Sequence, residues 1–460
     1  MKKNSKSRLF RPGSNGSLFV TAIIAILLSF LVAAVVMIAT GIQPKGFFDA
    51  LLRTMTGLDF SKAGTAQFFR PRYVGEFIQV SLPLILCGLS IGFAYRTGMF
   101  NIGAEGQLIA GILCSNLVAL TLPLKTPLLA VLCIVAAGIG GGLWAFIPGF
   151  LKARFGVHEV VTTIMFNYVA MYISNWILKA LPGSNPQRTV DLPKNALLGS
   201  DFLRKLSGNS RLHWGFIVVI LSVLLYNFIM NRTSFGYELR AVGFNRHAAA
   251  YAGMNAESRI ILSMVISGIF AGLGGAMVAQ GTFTYGRVLQ GFENYGFDGI
   301  SVALLGGTRG VGILLGGLLL GGLRSGQPLM QAMGVPLEIA QIVSGLIILF
   351  VAMQHGIERL LLFFGKRRLK EEVDEETVSA ENSTTDIDHS GAKAQTHVSA
   401  NPETTEQDHA EKPFPAESSP DDSISQVSER TVQAAEDDAA KDATCKDAEE
   451  DAEASASQQA

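Results

Sequence analysis

The chain has 460 residues, of which 49% are hydrophobic and 16% charged, with a formal net charge of −1 and a mean hydropathy of +0.34. That is too apolar for an ordinary soluble protein of this length, and apolar runs of about 17–25 residues recur, the length needed to cross a bilayer core. The near-neutral total hides an asymmetry: residues 371–460 hold 25 Asp and Glu against 5 Lys and Arg, leaving 13 acidic and 32 basic side chains for the other 370 residues.

The expected fold class is all-α, a polytopic helical membrane protein of about ten transmembrane segments. Residues 1–17 form a basic N-terminus, 18–368 a transmembrane body, and 369–460 an acidic tail. The first apolar run starts at Leu18, continues for about 22 residues and lacks a small-residue cleavage site, so it reads as an uncleaved helix rather than a signal peptide. Ten apolar segments follow in order: 18–40, 74–94, 105–122, 127–150, 160–180, 214–230, 260–279, 297–306, 311–323 and 337–354. The eighth and ninth are too short to cross alone at about 1.5 Å per residue, which leaves half-helices, a tilted hairpin, or an eight-span count open. Basic residues set the orientation. Lys2, Lys3, Lys6, Arg8 and Arg11 place the N-terminus in the cytoplasm. Lys152 and Arg154, then Arg232, Arg240, Arg246 and Arg259, and finally Lys366, Arg367, Arg368 and Lys370 do the same for two loops and the C-terminal side.

Glycines cluster within the apolar segments at 138–142, 268–275 and 312–322, with spacings of four that bring helix backbones close together. Cys87, Cys114 and Cys133 lie in apolar runs and Cys445 stands alone in the tail; no zinc spacing occurs. The tail is rich in Ala, Ser, Thr, Asp and Glu and nearly free of aromatics, a composition expected to be disordered.

Polar residues inside apolar segments are the candidates for function, because a charge in lipid costs several kcal/mol unless it faces a bundle interior. The stretch 95–108, YRTGMFNIGAEGQL, carries Asn101, Glu105 and Gln107 at the mouth of the third segment. Two readings stand: they border a path and hydrogen-bond a polar solute, or Asn101 and Glu105 cap a helix near the membrane surface. In FGVHEVVTTIMFNYVA, residues 155–170, Glu159, Thr163 and Asn167 recur every four residues. That polar stripe suits a neutral polyhydroxylated solute or hydrogen bonds between helices. Glu293 and Asp298 flank the broken eighth segment, and interrupted segments often mark transporter sites; an external gate or a polar loop end would both explain them.

The loop NRTSFGYELRAVGFNRHAAAYAGMNAESR, residues 231–259, reads as two short helices, 237–242 after a turn at Gly236 and 248–252 capped by Asn245, with Gly243 as the break and Gly253 as the stop. Glu238, Arg240 and Ala249 lie on them, and such a pair suits docking into a groove of another protein.

These three stretches, 95–108, 155–170 and 236–255, resemble permease subunits of bacterial ABC importers, in the simple-sugar superfamily that includes ribose-type permeases, and more closely its nucleoside-type branch. The resemblance covers about residues 18–368 and implies a multi-pass protein of the bacterial cell membrane that forms a path for nucleosides, with a simple sugar such as ribose as the alternative. It implies a separate ATPase partner docked on the 231–259 loop, a second homologous permease, and an extracytoplasmic binding lipoprotein that delivers substrate. The residues agree: there is no phosphate-binding G-x-x-x-x-G-K-[ST] loop, so no ATP hydrolysis is expected of this chain, and no cofactor, metal or nucleic-acid partner is expected either. An ion-coupled secondary transporter would need a mid-membrane carboxylate or base and would leave the loop unexplained.

Overall fold

Long apolar stretches leave the backbone to satisfy its own hydrogen bonds, and a helix does so within one segment. The computed structural model describes residues 15–353 apart from 63, 66 and 67. In order, the helices are α1 Asn15–Ala39, α2 Pro44–Thr56, α3 Pro71–Tyr95, α4 Ala104–Thr121, α5 Leu128–Phe155, α6 Glu159–Ala180, α7 Asp201–Leu206, α8 Gly215–Arg232, α9 Ser234–Phe244, α10 Arg246–Tyr251, α11 Ala256–Ala276, α12 Tyr295–Leu305, α13 Gly310–Ala332 and α14 Leu337–Ala352. A wider turn, Met277–Thr282, extends α11. Strand β1, Arg188–Asp191, pairs antiparallel with β2, Tyr285–Arg287.

Each of the ten predicted segments coincides with one helix. Six of the described helices, α3, α4, α5, α6, α8 and α11 with its extension, are long and apolar enough to cross a membrane. The ninth segment differs from expectation. It does not stop at Leu323 but continues as α13 through Arg324 and Pro328 to Ala332, because Arg324 is held by Asp298 at 2.6 Å and does not have to leave the helix to be stabilised. Helix α2, with Phe47, Ala50 and Leu51 buried, was not expected at all. The basic stretch 1–14 and the acidic tail lie outside the described residues.

The glycine clusters hold the bundle together. A Cβ on Gly268 would lie 2.3 Å from the Gly141 carbonyl oxygen, and one on Gly272 2.2 Å from that of Ala137, so α11 and α5 touch backbone to backbone. Helix α13 also packs closely on α3, there against a small side chain: a Cβ on Gly321 would meet Ser81 Oγ at 2.0 Å. Loss of van der Waals contact, rather than burial from water, is what a larger residue would impose at these crossings. The core runs through α3, whose residues Ser81–Ala94 are all buried.

The two ends of the bundle differ. One carries α9, α10 and the α5–α6 connection. The other carries the β1–β2 pair, α7, and the α13–α14 turn, where Gly46 of α2 lies against Met333.

Candidate functional site

The stretch 95–108 is where the chain stops being helical. Helix α3 ends at Tyr95, Gly98 adopts φ +74°, and α4 does not start until Ala104. The eight residues between run back into the bundle, since Thr97 accepts a hydrogen bond from Ser263 (2.8 Å) and Asn101 donates to Ser267 (2.7 Å) one turn further along α11. Ala104 packs with Ala271 of α11 and Ala303 of α12, about 22 Å along α11 at 1.5 Å per residue. So α4 begins near mid-length of its neighbours.

A helix that starts inside the bundle exposes N–H groups that no water can satisfy. Here side chains do it. Asn101 Oδ1 accepts from the Gly103 N–H (3.0 Å), and Asn167 Oδ1 accepts from the Gly106 N–H (2.8 Å) while its Nδ2 donates to the Ile102 carbonyl (3.1 Å). Asn101 and Gln107 exchange two hydrogen bonds, at 2.9 and 3.0 Å. Asn101, Glu105, Gln107, Thr163 and Asn167 are all 0–1% exposed.

Glu105 is the corrected residue. One of its two readings put it near the membrane surface, as a cap with Asn101 for a helix begun there. The helix begins three residues later, and Glu105 lies deep. It caps a helix start, but that of α12: Oε1 accepts from the Asn294 N–H (2.9 Å) and Oε2 from the Gly296 N–H (2.6 Å). The two helix starts touch, since a Cβ on Gly296 would fall 2.2 Å from the Glu105 nitrogen. The partial positive charge of a helix N-terminus and two N–H donors are what a buried carboxylate needs in place of a cation.

The same hexapeptide pattern opens both helices. Asn101-Ile-Gly103-Ala-Glu105-Gly106 corresponds to Asn294-Tyr-Gly296-Phe-Asp298-Gly299. The surroundings repeat too: α4 packs on α11 through Gly111 and Gly272, and α12 packs on α3 through Gly299 and Cys87. Helices α3 and α11 run in opposite senses between the two ends, so the two units form an inverted repeat, an arrangement that places transporter sites where the broken helices meet. This pattern of Asn, two Gly and a carboxylate was the sequence signal that hydropathy alone overlooks.

The remaining candidates separate. Glu159 pairs with Lys152 (2.8 Å) at the end that carries α9 and α10, away from the cluster. Thr163 bonds the carbonyls of Glu159 and Val160 in its own helix and lies against Gly103. Glu293 pairs with Arg287. Asp298 pairs with Arg324, whose other terminal nitrogen donates to the Glu293 carbonyl (2.7 Å) and whose guanidinium lies 4.0 Å from the Tyr295 ring centroid.

In the 231–259 loop two helices form, with altered breaks. Helix α9 runs straight through Gly243 and ends at Phe244; the break is Asn245, extended at φ −154°, whose side chain accepts from the Ala248 N–H (3.0 Å). Gly236 likewise is helical rather than a turn, and Thr233 caps α9. Both glycines permit close approach: a Cβ on Gly243 would lie 2.4 Å from the Arg96 carbonyl oxygen, and one on Gly236 2.0 Å from that of Ile229. Gly253 ends the second helix as expected, at φ +83°. Glu238 pairs with Arg259 at 2.5 Å, Arg240 is half-buried, and Ala249 is buried. Phe244 and Tyr251 are 91% and 97% exposed.

Among the described residues, no cluster of His, Cys, Asp and Glu is arranged to hold a metal.

Residues 73–352 match the family model described as "branched-chain amino acid transport system / permease component". A guanosine ABC transporter permease of Bacillus subtilis is 44% identical over 73% of this chain and 93% of its own length. A nucleoside ABC transporter permease of Lactococcus lactis is 37% identical over 74% of this chain and 92% of its own. A glucose ABC transporter permease of Haloferax volcanii is 30% identical over 74% and 88%. The broken helices, the exposed α9–α10 pair and these likenesses converge: the chain belongs to the branched-chain amino acid transport system / permease component family, as an integral membrane permease of an ABC transporter.

Proposed function

We propose that this chain forms the translocation path for nucleosides in an ATP-driven importer. The observation that carries the substrate is the pair of guanosine and nucleoside permeases, at 44% and 37% identity along most of their length. The glucose relative at 30% keeps a sugar as the second reading. The α9–α10 surface, with Phe244 and Tyr251 bare, is the docking place for a separate ATPase, and its end of the bundle faces the cytoplasm. Ten spans with both termini inside fit the ten helices, with 18–368 as the membrane body and 369–460 as a cytoplasmic extension. A second, homologous permease completes the path and an extracytoplasmic binding lipoprotein delivers substrate at the β1–β2 end. The buried cluster of Asn101, Glu105, Gln107, Thr163 and Asn167 fixes the broken helices beside that path; Glu293 and Asp298 lie toward it.

Uptake of radiolabelled nucleosides and of ribose, in cells with and without the gene and with each solute competing against the other, tests this reading. Loss of nucleoside uptake alone is the expected result. Loss of sugar uptake alone would transfer the substrate assignment to the second reading.

A further inference from the structure

A groove of about 540 Å³ lies between α12, α13 and α14. Its wall is polar although the three helices that build it are largely apolar. Asp298 lies one turn beyond the α12 start that meets Glu105, and its side chain is 47% exposed although it pairs with Arg324. Gln327 of α13 and Gln341 and Ser344 of α14 continue the same wall, with Phe297 beside them. A half-exposed carboxylate, two amides and a hydroxyl facing hydrocarbon would be costly, so such a surface lines water or a polar solute. A second cavity of about 800 Å³ lies at the β1–β2 end, between Tyr73, Arg211 and the end of α13, and shares Arg324 and Gln327 with the groove. Arg324 and Gln327 thus line both volumes, one on the side of that end of the bundle and one on the side of α14.

We propose that the α12–α13–α14 groove is a binding station for a nucleoside, with Asp298 accepting hydrogen bonds from the ribose hydroxyls and Gln327 and Gln341 pairing with the edge of the base. The inference rests on the nucleoside reading above and deepens it by naming the residues that recognise each half of the solute. The volume suits one small ligand. A carboxylate is the group that holds vicinal ribose hydroxyls in dinucleotide sites. Amides carry a donor and an acceptor side by side, as a base edge does, and Phe297 offers a ring on which a base can stack. Arg324 is a positioning residue: its bonds to Asp298 and the Glu293 carbonyl aim the carboxylate, and its stacking on Tyr295 fixes its own plane.

The test uses cells making the complete transporter. Ser344→Cys and Gln341→Cys are treated with a membrane-impermeant thiol reagent with and without guanosine, above the background of the native cysteines. Labelling that guanosine slows severalfold is expected, and the same concentration of ribose should protect less. In parallel, Asp298→Asn should raise the KM for guanosine uptake about tenfold, because the amide keeps one acceptor but exchanges a charge-assisted hydrogen bond for a neutral one of roughly half its strength. The preference of guanosine over 2′-deoxyguanosine should fall toward one. A parent chain that takes up guanosine, joined to cysteines that label equally with and without it and an Asp298→Asn variant of unchanged selectivity, would overturn the groove assignment and leave the nucleoside reading standing. Disulfide formation from Ser344→Cys to a second permease would also overturn it, since the partner would then fill the groove. A parent chain that takes up sugars and no nucleoside removes the premise instead, and is read directly from the uptake arm.

Discussion

At the scale of single residues, Glu105 shows how a carboxylate is kept inside a bundle without a cation. Its two oxygens take the N–H groups of Asn294 and Gly296. Removing it leaves both donors orphaned in a site closed to water. Glu105→Ala is therefore expected to cost roughly 2–3 kcal/mol, the scale of a hydrogen bond to a charged group, seen as a fall of several degrees in the unfolding temperature of the purified protein in detergent. Glu105→Gln, which keeps one acceptor, should lose less. Equal stability of all three proteins would remove the clamp. His213 gives a second case, outside the spans. Its Nδ1 accepts from the Gly215 N–H (3.1 Å) and burial pushes its pKa down to about 4. The unfolded chain, with an ordinary histidine near 6.5, binds the proton first as pH falls. Stability should be constant above pH 6.5 and decline between 6.5 and 4, by about 3 kcal/mol if the shift is fully expressed. His213→Asn, which retains an acceptor for Gly215, should flatten that decline in unfolding measured across this range.

At the scale of elements, the broken helices and the α9–α10 pair are connected by touching backbones. Gly243 of α9 abuts Arg96 and Gly98, and the segment they open leads within a few residues to Asn101 and Glu105. A movement of α9 has a short physical route to the starts of α4 and α12, because a close-packed contact between backbones transmits displacement rather than absorbing it. Two consequences can be measured. Phe244→Ala with Tyr251→Ala removes the exposed aromatic surface while leaving Leu239, Val242 and Ala249 buried; the ATPase should no longer copurify, yet the permease should still reach the membrane. Full copurification with normal uptake would place the docking surface elsewhere. Asn245→Ala should cost about 1 kcal/mol by loss of the α10 cap. Gly243→Pro is a poor probe of docking, since Gly243 lies inside α9 and a proline there would break the helix itself.

At the scale of the whole molecule, hydropathy and charge divide the chain into a basic membrane body and an acidic extension. The permease family model matches residues 73–352, all within the basic part. Deleting 371–460 is expected to leave nucleoside uptake within about twofold of the full chain, because 25 acidic side chains with almost no aromatic residues cannot contribute a packed surface to the path. Loss of uptake at unchanged expression would make the extension part of the transport machinery.

Much of this architecture can be read without coordinates. Segment length and hydropathy mark ten of the described helices, because a long apolar backbone satisfies its hydrogen bonds within one helical segment. The polar loop with its capping residues marks α9 and α10, since a cap is a local interaction. What sequence could not place was anything that depends on a partner far along the chain. Glu105 looks like a cap for its own helix and serves one 189 residues away. Arg324 looks like the end of a segment and is retained inside α13 by Asp298. Asn167 reads as part of a stripe that faces a solute or bonds between helices, and only the fold names its partner, the start of α4. By itself the sequence determined the long apolar helices, the α9–α10 pair, the class of protein and the family, because propensity, hydropathy and caps act over a few residues. Only the tertiary structure decided that two half-repeats meet start to start inside the bundle, because the free N–H groups of one helix can be answered only by a side chain that another helix brings to them.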